Sequence, residues 1–141
     1  KHKSKKKIVQ YLVKAAGYGS NLLLNVGPMP NGKIQEEHVE SLKKIGSWIK
    51  VNGESIYETK KGPINPTDDI ASTIKGKTIY VHLLNHEKKK YIIKGFTSKF
   101  KKMLYFKSNR EVTYEKFDEG IVLFLDEEKI NPINTIIKIE L

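Results

Sequence analysis

Histidine side chains are the groups in this chain best suited to bind a transition metal, and the chain has four of them and no cysteine. His82 and His86 are four residues apart, but the sequence pattern places one in a strand and the other in a turn. In that setting the spacing does not bring two rings together as it does on a helix. His2 and His38 complete no metal-binding motif. We therefore predict no metal site and no cofactor.

Carboxylates are the other groups that could carry out acid–base chemistry. Those in the N-terminal part lie on or after the helix predicted for residues 35–50, and they are Glu36, Glu37, Glu40, Glu54 and Glu58. Glu36 and Glu37 occupy its first turn, where the helix dipole favours negative charge. We predict helix-surface or capping roles for all five.

The stretch from Asn21 to Gly53 predicts a strand, a turn and a helix in succession. Residues 22–26 are an apolar run without alternation, which is typical of a strand covered on both faces. Pro30-Asn31-Gly32 supplies a turn, and Asn52-Gly53 a helix end with positive φ. One helical face carries the apolar positions Val39, Leu42, Ile45, Trp48 and Ile49.

A second helix is predicted before this strand. Residues 3–16 carry apolar side chains at helical spacing. The predicted helix ends at Gly17-Tyr18-Gly19-Ser20. This order of helix, strand and helix is the one expected at the C-terminal end of an α/β barrel or a doubly wound sheet. Because a strand buried on both faces needs neighbours that this chain does not provide, we expect the chain to be a piece of a larger protein.

After Gly53 the pattern changes to short alternating segments separated by turn residues. We predict strands near residues 71–74, 78–84, 91–93, 102–106, 113–116, 121–125 and 135–140. Seven strands at this spacing indicate an all-β sandwich. Residues 58–67, with two prolines and one glycine, are predicted to form a connecting loop.

Residues 19–57 resemble the end of the catalytic barrel of glycoside hydrolase family 29, the α-L-fucosidases. The resemblance is carried by Gly19-Ser20-Asn21-Leu22-Leu23-Leu24-Asn25-Val26-Gly27-Pro28, by Asn31-Gly32, Ile34, Glu37, Leu42, Ile45-Gly46 and Trp48, and by Val51-Asn52-Gly53-Glu54-Ser55-Ile56-Tyr57. The later strands look like those of the family's C-terminal β-sandwich. The resemblance implies an α/β plus all-β chain, in which the last helix-strand-helix of a (β/α)8-like barrel precedes an antiparallel β-sandwich. The implied units are residues 1–58, a linker at 59–67, and a sandwich at 68–141.

The resemblance also implies a retaining glycosidase that releases terminal L-fucose with two carboxyl groups. In the family both come from barrel strands that precede the strand at Asn21. The resemblance therefore implies no catalytic residue in this chain, and we expect the chain alone to be inactive. Its contribution to the pocket would be the carboxyl end of the strand, because barrel active sites form there. The residues at that end are Asn25, Val26, Gly27, Pro28 and Met29.

The implied partners are a fucosylated glycan and the remainder of the barrel, and an oligomer is possible. A non-catalytic carbohydrate-binding or structural sandwich is the alternative. In that alternative, a carbohydrate-binding face of the sandwich could be formed by the aromatic residues Tyr80, Tyr91, Tyr105, Phe106 and Tyr114. Trp48 is predicted to be a core residue, not a platform for a sugar.

The net charge of +10 raises the question of nucleic-acid binding. The chain has 12 basic and 5 acidic residues before Gly62, and 14 and 11 after it. Residues 1–7 contain five lysines, and Arg110 is the only arginine. Because bidentate recognition of phosphate and guanine favours arginine, we predict a solvated lysine-rich face and no nucleic-acid partner. No apolar run reaches 18 residues, so no membrane span is predicted.

Overall fold

Two helices form the N-terminal part of the chain in a computed structural model that describes residues 4–22 and 27–141. Helix α1 spans Lys5–Gly17 and α2 spans Glu36–Asn52, which confirms both predicted helices. α1 begins where Ser4 Oγ accepts a hydrogen bond from the Lys7 amide at 3.2 Å. It ends at Gly17, and Gly19, with a φ of +74°, turns the chain away two residues later. Of the helices described, neither is long and apolar enough to cross a bilayer.

The end of α2 differs from the prediction. Gly53 has a φ of −60°, not a positive φ, and it begins a short 3₁₀ turn at Gly53–Ser55. The tighter turn brings Ser55 against the sheet, where its carbonyl accepts a hydrogen bond from Thr73 Oγ1 at 2.6 Å. The contact with the sheet therefore sets the path of the chain at this point.

The strand predicted for residues 22–26 cannot be assessed, because residues 23–26 lie outside the described part of the chain. Leu22, its first residue, is exposed and belongs to no strand. The predicted turn is confirmed: Gly32 has a φ of +81°, and the Lys33 amide donates to Asn31 Oδ1 at 3.0 Å.

Eight strands follow in the described residues, and all seven predicted strands are among them. They are β1 (Lys60–Lys61), β2 (Ile70–Lys75), β3 (Thr78–Leu83), β4 (Lys90–Lys94), β5 (Lys102–Tyr105), β6 (Thr113–Phe117), β7 (Gly120–Phe124) and β8 (Thr135–Glu140). A 3₁₀ turn at Glu127–Lys129 precedes β8. β1 corrects the predicted loop, because Lys60 and Lys61 pair with Ile74 and Thr73 of β2.

The strands form two antiparallel sheets. One has the order β1-β2-β3-β8-β5, and the other has the order β4-β7-β6. β3 lies at the centre of the larger sheet, between β2 and β8. Its side chains alternate between two faces, so Val81 and His82 point to opposite sides.

Each face of the larger sheet has its own hydrophobic core. Residues such as Ile79, Val81 and Ile137 pack with Ile93 and Leu123 of the smaller sheet. The opposite face packs against the helices, through a cluster made by Val9, Val13, Trp48, Ala71, Tyr80, Leu84 and Ile136. The larger sheet is therefore the middle layer, and it holds the helices in place.

Helix α1 lies close to β2, and one of its side chains bonds to the segments next to β3 and β8. A Cβ on Gly17 would be 2.9 Å from Ala71 Cβ, so the helix end fits closely against the strand. Gln10 Nε2 donates to the carbonyls of Leu84 and Ile133, both at 2.9 Å. These bonds join α1 to the segments that follow β3 and precede β8.

Candidate functional site

The predicted pocket-lining residues lie in the loop before α2, so far as they are described. Gly27 and Pro28 are exposed, and Met29 is half-buried. The Met29 amide donates to the Lys33 carbonyl at 2.7 Å, which closes the loop. Asn25 and Val26 lie outside the described residues, so their proposed place at the pocket stays a prediction.

Gly27 makes no close backbone approach to another described segment of this chain. A Cβ built on Gly27 meets no atom within 4 Å. The surface around it is open, because no described segment packs over this side of the loop. Nearby, Pro28 forms an antiparallel bridge with Ile34, which fixes the loop against the start of α2.

Of the five carboxylates considered, Glu54 has a defined structural contact. Its Oε2 accepts a hydrogen bond from the Tyr80 hydroxyl at 2.6 Å and lies 3.9 Å from Lys138 Nζ. Burial, followed by this hydrogen bond and the Glu54 charge, raises the pKa of Tyr80 well above its usual value. Glu54 thus joins the end of α2 to β3 and β8, which is a structural role. Glu36, Glu37, Glu40 and Glu58 are exposed.

His82, which the sequence analysis considered only as a metal ligand, is a buried histidine. Its ring is fully buried on the helix-facing side of β3, and Nδ1 lies 2.9 Å from Asn134 Nδ2. Nε2 has no hydrogen-bond partner among the described residues. Burial lowers the pKa of His82 to about 4, and the nearby Ser55 backbone opposes this shift only in part. The alternation of β3 places His82 on the same face as Tyr80 and could have indicated its burial.

His82 and His86 do not lie together in the structure. His86 is exposed and its Nδ1 lies 3.0 Å from Lys6 Nζ, whereas His82 is buried in the sheet. In residues 4–22 and 27–141 no group of three or more histidine and acidic side chains could hold a metal ion.

The aromatic face expected for a sugar-binding sandwich is not present as predicted. Tyr80, Tyr91 and Tyr105 are each at most 4% exposed, and their hydroxyls are hydrogen-bonded inside the protein. Phe106 packs edge-to-face on Tyr80. Tyr114 contacts Phe100 and is the exposed member of the set. These rings support the cores, because they fill space between layers instead of lying on one outer face.

The sequence of residues 1–54 matches the family model described as Alpha-L-fucosidase. The chain is 39% identical over 82 residues to human plasma alpha-L-fucosidase and 35% identical over 81 residues to human tissue alpha-L-fucosidase. These alignments cover 55% of this chain and 18% and 17% of the two relatives. The chain therefore spans only a small part of the curated relatives it matches.

The fold is similar to that of solved bacterial fucosidases over nearly its full length. A Thermotoga maritima alpha-fucosidase structure matches with a TM-score of 0.84 and 24% identity, covering 99% of this chain and 34% of that one. Alpha-L-fucosidase isoenzyme 1 from Paenibacillus thiaminolyticus gives the same TM-score and identity, covering 99% and 35%. In each of these two larger proteins, the region that matches this arrangement of two helices and two antiparallel sheets makes up about a third of the chain.

Proposed function

The chain is a relative of the glycoside hydrolase family 29 α-L-fucosidases, and on that premise we propose that it forms the C-terminal part of a fucose-releasing enzyme. The match of residues 1–54 to the Alpha-L-fucosidase family model carries the proposal. The similarity in fold extends over 99% of the chain and supports the same origin for the β part. In this proposal residues 1–58 end a catalytic barrel, 59–67 link the two parts, and 68–141 form a β-sandwich.

The exposed apolar side chains of the helical part support a missing neighbour. Among the described residues between 11 and 57, seven large hydrophobic side chains are at least 37% exposed: Tyr11, Tyr18, Leu22, Ile34, Leu42, Val51 and Tyr57. Leu42 belongs to the predicted buried face of α2, yet it is 39% exposed, while Ile45 and Trp48 on the same helix are buried. Trp48 packs against Tyr80 and Ile136 of the β part, whereas Leu42 is left for another surface. We take that surface to be the upstream part of the barrel.

The chemistry in this proposal is a double displacement at a terminal L-fucose. Retaining glycosidases hold a nucleophile and an acid/base about 5–5.5 Å apart. The described carboxylates of the helical part are on the surface or tied to the sheet, as Glu54 is. Both catalytic groups are therefore assigned to the segment that precedes Lys1 in the complete enzyme.

This chain contributes to the pocket through the segment that leads to α2. Asn25 and Val26 end the proposed strand, and Gly27, Pro28 and Met29 continue into the loop. The exposure of Gly27 and Pro28 and their position shortly before α2 support this part of the proposal. The substrate is a fucosylated glycan, and an oligomer is compatible with this arrangement.

The β part acts as a platform for the end of the barrel. It holds α1 and α2 through the cluster around Trp48 and Tyr80, and through the Glu54–Tyr80 and Ser55–Thr73 hydrogen bonds. A non-catalytic sugar-binding role is less well supported, because three of the five proposed aromatic residues are buried.

A complementation assay tests the proposal. The chain alone should not hydrolyse 4-nitrophenyl α-L-fucoside, and mixing it with the separately produced upstream barrel segment should restore hydrolysis. As a matched control, the 4-nitrophenyl α-D-galactoside should not be hydrolysed by the mixture. Absence of fucoside hydrolysis by the complete, folded enzyme would overturn the assignment.

A further inference from the structure

The chain contains two Asn-Gly pairs, and the structure places them in opposite settings. Asn31 and Gly32 are exposed in the turn before α2, whereas Asn52 and Gly53 are buried where α2 ends. Asparagine is a thermally labile residue, because the backbone nitrogen that follows it can attack its side-chain carbonyl carbon. Glycine in the next position leaves that nitrogen unshielded, since glycine has no side chain. Each pair therefore has the groups for this reaction, and its surroundings decide whether the reaction occurs.

The side-chain carbonyl of Asn31 is already polarised by a hydrogen bond. Its Oδ1 accepts from the Lys33 amide at 3.0 Å. Attack on Cγ moves negative charge onto this oxygen, so a donor that is already in place stabilises the charge as it develops. The attacking nitrogen is that of Gly32, and a Cβ built on Gly32 meets no described atom within 4 Å. The turn therefore has room to rearrange as the nitrogen approaches Cγ.

One contact opposes the reaction at Gly32. Its amide donates to the Met29 carbonyl at 2.8 Å, and this bond must open before the nitrogen can attack. The bond lies in an exposed turn outside the helices and strands, where local opening costs little free energy. At the second pair, the Gly53 amide donates to the Ile49 carbonyl at the helix end, and Asn52 is 6% exposed. Reaction there requires the end of α2 to unfold.

Asn85 separates the effect of a following glycine from the effect of the hydrogen bond. Its Oδ1 accepts from the Glu87 amide at 3.0 Å, which is the same arrangement as at Asn31. The residue that follows is His86, and unlike glycine it carries a side chain that shields its backbone nitrogen. Asn85 is also half-buried. Of Asn31, Asn52 and Asn85, Asn31 combines an exposed turn, a polarised carbonyl and a following glycine.

We propose that Asn31 is a site of spontaneous deamidation. The Gly32 nitrogen gives its proton to a base in the solvent and bonds to Asn31 Cγ, and the side-chain nitrogen leaves as ammonia. One water molecule then opens the cyclic succinimide at either of its two carbonyls, which yields aspartate or isoaspartate without an oxidant or a cofactor. Both products add a negative charge shortly before α2, and isoaspartate also lengthens the main chain of the turn by one carbon. The reaction does not depend on the proposed catalytic activity.

Ageing of the folded 141-residue chain tests the proposal. The chain is incubated at neutral and at mildly alkaline pH, sampled over time and digested, and each asparagine peptide is quantified by mass spectrometry against the unaged chain. We expect Asn31 to be lost at least about tenfold faster than Asn52 and Asn85. The loss should accelerate at the higher pH and should give isoaspartate, which direct hydrolysis of the side chain cannot produce. Equal rates at the three asparagines, or aspartate without isoaspartate at Asn31, would overturn the proposal.

Two controls separate the effect of sequence from the effect of structure. In denaturing urea Asn52 should be lost about as fast as Asn31, since both are then exposed and both precede glycine. Gly32→Ala shields the attacking nitrogen and should slow the loss of Asn31 by about tenfold or more, whereas Gly46→Ala, at an exposed glycine of α2, should leave it unchanged. Thermal melting confirms that each variant is folded. An unchanged rate in folded Gly32→Ala, or an Asn52 that stayed slow in urea, would contradict the proposal.

Discussion

The Tyr80 hydroxyl donates to Glu54 Oε2 at 2.6 Å, and this bond joins the end of α2 to the central strand of the larger sheet. Tyr80 is 3% exposed, whereas the Glu54 side chain is 52% exposed. The bond therefore has a buried donor and a solvated acceptor. Its contribution to stability is smaller than that of a fully buried charged pair, because water competes for the carboxylate.

A double-mutant cycle measures this bond. We expect Tyr80→Phe and Glu54→Gln each to lower the free energy of unfolding by about 1 kcal/mol, with a coupling of similar size between them. The measurement is urea unfolding of the four proteins. Tyr57→Phe is the matched control, because Tyr57 is 59% exposed and should lose almost nothing. Fully additive single-variant effects would show that the two side chains do not stabilise the fold together.

His82 should make stability depend on pH in the acidic range. Its pKa is about 4 in the folded chain and about 6.5 when unfolded, so the unfolded state binds more protons between these values. The contribution of His82 to the free energy of unfolding is therefore constant above about pH 7 and decreases as the pH drops towards 4. Over the whole titration, the loss in the free energy of unfolding is about 3 kcal/mol.

Urea unfolding of the chain and of His82→Gln at pH 7 and pH 4.5 checks this expectation. His82→Gln should be less stable at pH 7, since it disturbs the contact with Asn134, but its loss between the two pH values should be smaller by about 2–3 kcal/mol. His86→Gln, at the exposed histidine, should retain the full loss. Equal losses in all three proteins would show that His82 is not the titrating group.

Two glycines should respond in opposite directions to the same substitution. A Cβ on Gly62 would clash with the Ser72 side chain and lie 2.6 Å from its backbone carbon, so Gly62→Ala should destabilise the chain by about 2 kcal/mol or more. Gly46, inside α2, has nothing within 4 Å of a built Cβ, and Gly46→Ala should stabilise by about 1 kcal/mol. Thermal melts of both variants decide this. A stabilised Gly62→Ala would mean that β1 does not pack against β2 as described.

Much of this fold could be predicted because its elements have strong periodicity. The alternation of β3, the apolar run of β7 and the helical spacing of α1 and α2 reflect the layers that these elements pack against. The strand β1 was missed because two exposed lysines carry no alternation. Gly53 was misjudged because its conformation depends on the contact of Ser55 with Thr73, which only the folded chain provides.

The site was less predictable than the fold. The proposed pocket residues at Asn25 and Val26 follow from a family resemblance, and residues 23–26 lie outside the described part of the chain. The pairing of His82 with Asn134 spans 52 residues, and local sequence patterns do not indicate such a contact. The surface cleft between Trp48 and Asn134 likewise combines α2 with segments more than 50 residues later.

Leu42 tests the proposed docking of the upstream barrel. In the isolated chain Leu42→Gln should change the free energy of unfolding by less than about 0.5 kcal/mol, since the side chain is already 39% exposed. In complementation assays the same variant should require a higher concentration of chain to restore fucoside hydrolysis. Lys44→Gln, at an exposed position of α2, is the control and should behave as the unmodified chain. If Leu42→Gln complemented equally well, this face of α2 would not contact the barrel.

Covalent labelling gives the most direct test of the central claim, that this chain is the C-terminal part of a retaining fucosidase whose catalytic carboxylates precede it. A 2-fluoro-fucosyl fluoride has been used with a Bacteroides thetaiotaomicron α-L-fucosidase to trap a covalent intermediate. The complete enzyme is treated with this reagent, digested and analysed by mass spectrometry. The account predicts one fucosyl label on an Asp or Glu that precedes Lys1, and none on residues 1–141. A label on any carboxylate of residues 1–141, such as Glu54, would contradict it.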